Sequence, residues 1–130
     1  MVDFLKKELD MDFDKAVQRI EEIVQEEGFS HMLTKEIDKI FKKKLNVDYP
    51  RYTIILACGP DFAKAALDVS KNVGLLFPCS FVVYEDEGKV FVSHISIMKI
   101  APAIGIAPAD EMQSVIEMTG EAVHKAWDRF

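Results

Sequence analysis

The chain has 130 residues, a formal net charge of −6 and 49% hydrophobic residues. At this length one domain is expected, able to bury roughly two-thirds of its unfolded surface without disulfides or metal. The acidic balance argues against nucleic acid and anionic membrane as main partners, since both recruit basic surfaces.

The N-terminal Met1-Val2-Asp3-Phe4-Leu5-Lys6-Lys7-Glu8 carries acids where a signal peptide needs a basic and then an apolar stretch. No apolar run approaches the roughly 18 residues of a transmembrane helix. A cytoplasmic protein is expected, with its two cysteines as thiols. Phe4 to Leu9 reads as a weak strand. Asp12 is placed to cap a helix whose apolar positions, Phe13, Ala16, Val17, Ile20, Ile23 and Val24, recur at helical spacing. Gly28 stops it. Glu21-Glu22 and Glu26-Glu27 make its solvated face, and Asp10, Asp12 and Asp14 lack the glycine and terminal glutamate of a calcium loop.

Phe29 to Leu33 reads as a short strand containing His31, and Thr34 as the cap of a second helix with the stripe Ile37, Ile40, Phe41 and Leu45. Lys42-Lys43-Lys44 coats that helix. The apolar run Tyr52 to Ala57 predicts a strand buried on both faces. Cys58-Gly59-Pro60-Asp61 then turns strand into helix, with Pro60 at the first helical position, where its missing N–H costs nothing. Ser70 to Phe77 reads as a loop.

Cys79 to Tyr84 and Val90 to Ile95 predict a hairpin. Gly88 suggests a three-residue loop, Asp86-Glu87-Gly88, closed by a G1 bulge. That register sets Cys79 opposite Ile95 and His94 opposite Ser80, whereas a two- or four-residue loop centred on Asp86 and Glu87 sets Cys79 opposite His94. The proline- and glycine-containing stretch Ile97 to Pro108 reads as an apolar loop, either folded over the sheet or serving as an interface. Asp110 and Gln113 suggest a capping box for a last helix with the stripe Met112, Val115, Ile116, Thr119, Ala122, Val123, Ala126, Trp127 and Phe130. Gly120 lies off that stripe, and His124 reads as a surface histidine.

The fold expected from these elements is α+β, with a central antiparallel or mixed sheet packed against amphipathic helices. Both cysteines sit where an apolar strand meets a proline. A thiol at Cys58 would feel the positive end of the following helix, with Asp61 opposing it. Cys79 follows Pro78 at a strand start. If the two strands are neighbours, the thiols converge, and a reversible disulfide or soft metal site is open to them. Against this stands the plain reading of Cys as a small apolar residue filling a tight turn.

At Ala57-Cys58-Gly59-Pro60, Leu75-Leu76-Phe77-Pro78-Cys79 and Val82-Val83-Tyr84-Glu85 the chain resembles the DUF302 family of small domains. The Glu27-Gly28-Phe29 turn and the helix near Thr34 to Val47 match as well, so the resemblance covers about residues 4 to 130. It implies a TT1751-like α+β fold and a homodimer, and no established activity. The two family cysteine positions carry over to Cys58 and Cys79. Three functions follow as expectations. The first is a dimeric small-molecule or soft-metal-binding module with a site at Cys58, Gly59, Pro60, Pro78 and Cys79, with His94 as a further candidate and Ile100 to Ile106 as a wall. The second is a thiol-dependent redox or sulfur-handling protein in which Cys58 reacts and Cys79 resolves. The third is a structural interaction domain with inert, buried cysteines.

Overall fold

The computed structural model describes residues 3–130. Strands β1 (Phe4–Leu9), β2 (Ser30–Glu36), β3 (Tyr52–Cys58), β4 (Cys79–Asp86) and β5 (Lys89–Ile95) form one sheet in the order β1-β5-β4-β3-β2. Every neighbouring pair is antiparallel. The helices are α1 (Phe13–Glu26), α2 (Ile37–Leu45), α3 (Pro60–Val69), α4 (Ile97–Ala103) and α5 (Ala109–Arg129), with a 3₁₀ segment at Lys71–Leu76. The class is α+β, as the element pattern implies.

α1 forms as its sequence dictates. The Asp12 carboxylate accepts from the Lys15 N–H at 2.9 Å, and Phe13, Ala16, Ile20, Ile23 and Val24 are buried. Gly28 turns the chain at φ 98°, where a side chain would be strained. α5 carries the other strong stripe, burying Met112, Val115, Thr119, Val123 and Ala126.

Several boundaries differ from the sequence reading. Thr34 caps no helix. It lies in β2 opposite Ile55, and its hydroxyl bonds to Glu21 and His31 instead of a helix N–H. α2 begins after Glu36, ends at a left-handed Asn46 and buries none of its residues. β3 is covered on one face only: Thr53, Ile55 and Ala57 are buried, while Tyr52, Ile54, Leu56 and Cys58 are half-buried. An antiparallel sheet can leave one face uncovered, and an apolar open face reads in sequence like core. The Ser70 to Phe77 stretch coils into the 3₁₀ segment.

The hairpin turn is tighter than predicted. Asp86 pairs with Lys89, leaving the two-residue loop Glu87-Gly88, with φ of 51° and 78°. Two left-handed residues in a row match the twist of paired strands. The register shifts by one, and His94 faces Phe81 instead of Ser80.

Ile97 to Pro108 is no loop over most of its length. The Ser96 hydroxyl caps α4 by accepting from the Lys99 N–H, Pro102 falls in the closing turn, and Ile97, Met98 and Ala101 are buried. Asp110 makes no capping box either. α5 starts behind Pro108 without a side-chain cap bond, and Gln113 reaches forward to Glu117.

Two apolar clusters result. One lies between the covered sheet face, α1 and the C-terminal half of α5, around Ile20, Ile55, Phe81, Val83 and Val123. The other joins α3, the 3₁₀ segment, α4 and the N-terminal half of α5, around Ala66, Val73, Met98, Met112 and Val115. The opposite sheet face carries Phe4, Leu33, Ile54, Leu56, Val82 and Ile95, all half-buried or exposed. Both edge strands resist further pairing. β1 bears Lys6, Lys7 and Glu8, and β2 is broken by a bulge at Met32, between the pairs His31–Ala57 and Leu33–Leu56.

Candidate functional site

The register of β3 against β4 sets Cys79 opposite Ala57, so Cys58 lies one residue beyond it. Gly59 and Pro60 then start α3, with Pro60 at its first position. Cys58 and Cys79 are free thiols. Both line one cavity with Gly59, Phe62, Ala63, Phe77, Pro78 and Met98. Pro60 is exposed just outside it. The cavity's volume is about 10 Å³, the space of a single water.

Gly59 is required here by closeness, not by conformation. Its φ is −92°, but a Cβ at this position would sit 2.3 Å from the Phe62 ring. That ring packs on Phe29 with centroids 5.5 Å apart. The strand-to-helix turn is thus pressed against an aromatic pair, which closes the cavity from one side.

Cys79 is buried, and burial pushes its thiol up to about 11, with the neighbouring Cys58 adding to the effect. The cavity lining contains no cation that would favour a thiolate. Cys79 is therefore held as a neutral thiol. Among the described residues no group of three or more His, Cys, Asp or Glu is placed to hold a metal ion.

His94 does not join the cysteines. It lies flat on Phe81, with ring centroids 4.3 Å apart and planes 14° apart. Its Nδ1 is 2.8 Å from the Ser80 carbonyl oxygen. A carbonyl can only accept, so Nδ1 carries the proton and Nε2 presents a lone pair. Burial lowers the His94 pKa, partly offset by the bond to Ser80, which keeps the ring neutral.

His94 instead borders a second cavity, of about 200 Å³, whose wall includes Leu5, Ser96, Lys99, Thr119, Gly120 and His124. Sequence reasoning missed this site. The signal was a threonine on the apolar stripe of the last helix with a glycine beside it. His31 also has partners that the sequence did not reveal. Its Nε2 meets Thr34 Oγ1 at 2.7 Å and Glu21 at 3.3 Å. The Thr34 proton goes to Glu21, so the hydroxyl accepts from His31 and is not activated as a nucleophile. His124 is exposed, as read from the stripe.

A family model described as "Domain of unknown function DUF302" matches residues 5–129. Comparison with curated proteins finds no match. Among solved structures, the chain is similar to the crystal structure of an uncharacterised conserved DUF302 protein from Bacillus stearothermophilus, with a TM-score of 0.85 and 18% identity, covering 97% of this chain and 96% of that one.

Proposed function

The chain belongs to the DUF302 family, matched over residues 5–129, and on that footing we propose that it is a cytoplasmic self-associating domain, a homodimer formed face to face through the open side of its sheet, with structural cysteines. The observation that carries this reading is the uncovered sheet face, apolar through its middle and bordered by Lys6, Glu8 and Lys35. Ile54 and Val82 are neighbours across β3 and β4 at its middle. Leu56 and Leu33 extend it toward β2, and Phe4 and Ile95 toward β1. Tyr52, Tyr84 and Phe91 stack in a row along one end, with the Lys6 ammonium 4.6 Å from the Phe91 centroid.

The charged edge of β1 and the bulged edge of β2 disfavour sheet extension, which leaves the face as the means of association.

A small molecule or soft metal at Cys58 and Cys79 has less support. The cavity between them holds about one water, and two thiols make an incomplete ligand set for a soft metal. A redox pair has less support because the cavity lining holds no cation that would favour a thiolate at Cys58, the residue that would react.

Sedimentation of the wild-type chain is expected to give twice the 14.7 kDa chain mass. Val82→Lys, which puts a charge in the middle of the face, is expected to give the chain mass with an unchanged circular dichroism spectrum. A monomeric wild type, or a Val82→Lys variant that remains a dimer, overturns the proposal.

A further inference from the structure

The strand registers set five residues in one line across the open sheet face. Lys6 is opposite Ser93, Ser93 opposite Val82, Val82 opposite Ile54 and Ile54 opposite Lys35. Residues in register across neighbouring strands share a face. The middle row of the face therefore starts at an exposed lysine on one edge strand and ends at an exposed lysine on the other. The rows on either side lack this pattern. One holds Phe4, Ile95, Leu56 and Leu33, and the other holds Glu8 and the stacked rings of Phe91, Tyr84 and Tyr52.

In the face-to-face dimer proposed above, on which this inference rests, symmetry decides what these lysines meet. A two-fold axis along the strands lays β1 over the other copy's β2, so each Lys6 faces a Lys35. An axis across the strands through the same row sets Lys6 over Lys6 and Lys35 over Lys35. Either full overlap places like charges together at both ends of the row. Packed sheets lie about 10 Å apart and within about 30° of alignment, which shifts the edge strands by only about 5 Å. The local carboxylates are otherwise engaged. Glu8 and Asp86 lie one and two rows from Lys6, beside Lys89. Next to Lys35, Glu36 is held by Lys39 at 2.8 Å, and Asp38 accepts from the Tyr52 N–H.

We propose that Lys6 and Lys35 oppose self-association, so that the dimer tightens as salt screens the lysine pairs that the second copy completes. Like charges set against each other across an interface weaken it, and exposed charges are the ones salt screens best. The net charge of −6 also makes whole chains repel, and salt relieves that as well. The two origins separate by sign. Removing one lysine takes the chain from −6 to −7, which loosens the dimer if overall repulsion governs and tightens it if the facing lysines do.

The test measures the dimer dissociation constant of the full chain by sedimentation equilibrium, in sodium chloride from about 20 to about 200 mM, where the screening length falls roughly threefold. The wild-type constant is expected to fall severalfold across this range. Lys6→Met and Lys35→Met should each tighten the dimer about tenfold in low salt, a difference of about 1.4 kcal/mol, and respond less to salt. Lys35→Met leaves the Lys6 ammonium on the Phe91 ring, so its effect is one of charge. Lys125→Met on α5 makes the same change in net charge away from the face and should not tighten the dimer. A wild type that is monomeric throughout overturns the association reading and this inference with it. A dimer that loosens in salt, or that Lys35→Met fails to tighten, overturns the role of the lysines alone and leaves the dimer standing.

Discussion

His94 lies flat against Phe81 across the β4–β5 pair, with centroids 4.3 Å apart. The stack fixes an ionisable ring inside an apolar cluster, and the Ser80 carbonyl takes its only bonded proton. A pH dependence follows. Burial lowers the folded-state pKa below the ordinary 6.5, so in the window beneath that value the unfolded chain binds the extra proton more readily. The stabilisation is complete above about pH 6.5 and declines as pH falls toward the folded pKa. Lys99, His124 and Asp3, which share the adjoining cavity wall, add their own charges to the background. Urea denaturation across this range is expected to show a falling midpoint for wild type and a flatter profile for His94→Phe. Identical slopes would mean that His94 is not the group responsible.

The thiols are expected to separate by reactivity. Cys58 is half-buried, whereas Cys79 is buried and pushed up to about 11. Iodoacetamide near neutral pH should modify at most Cys58 in the native chain and both residues in denaturant. Alkylation of Cys58 in the native chain much faster than that of a free thiol, found by peptide mapping, would restore the thiol-redox reading, whereas rapid native alkylation of Cys79 would show that its cavity opens.

Gly59→Ala is expected to destabilise by about 1–3 kcal/mol, the usual range for overpacking, because the new methyl would lie 2.3 Å from a Phe62 ring that is itself packed on Phe29. Gly59→Ala combined with Phe62→Leu should recover part of the loss. Denaturant midpoints decide this, and a neutral single variant would show that the turn has room to move.

The helical assignment of Ile97–Ala103 has its own check. Met98 is 2% exposed and Ile104 is 60% exposed. Met98→Ala should cost about 2–5 kcal/mol, and Ile104→Ala should stay within about 0.5 kcal/mol. Similar effects at both positions would favour the loop that the prolines suggest.

Where one face of an element is buried and the other is polar, the sequence discloses it. The stripes of α1 and α5 are of this kind, as is the Asp12 cap. Three features stayed hidden for separate physical reasons. Pro102 and Gly105 mask α4, because a proline in a closing turn looks like a break. Glu87 occupies a left-handed position that glycine, asparagine or aspartate usually marks, so the two-residue turn could not be recognised and the register slipped by one. Ile54 and Leu56 are apolar on an open face, so β3 imitated a fully buried strand. At the candidate site, neighbouring strands do bring Cys58 and Cys79 to one cavity. Its size depends on how closely Phe62 folds back onto Gly59 and on Met98, which approaches from α4, and no spacing around the cysteines reveals that.

α5, 21 residues long, spans about 31 Å. Met112 and Val115 seat it in the cluster beside α4, and Val123 seats it in the cluster beneath the sheet. Neither cluster can lose its packing without releasing part of the same rod. Helix amides at both ends should therefore exchange with solvent through the same global opening, and the chain should melt as one cooperative unit even though its apolar interior is divided in two.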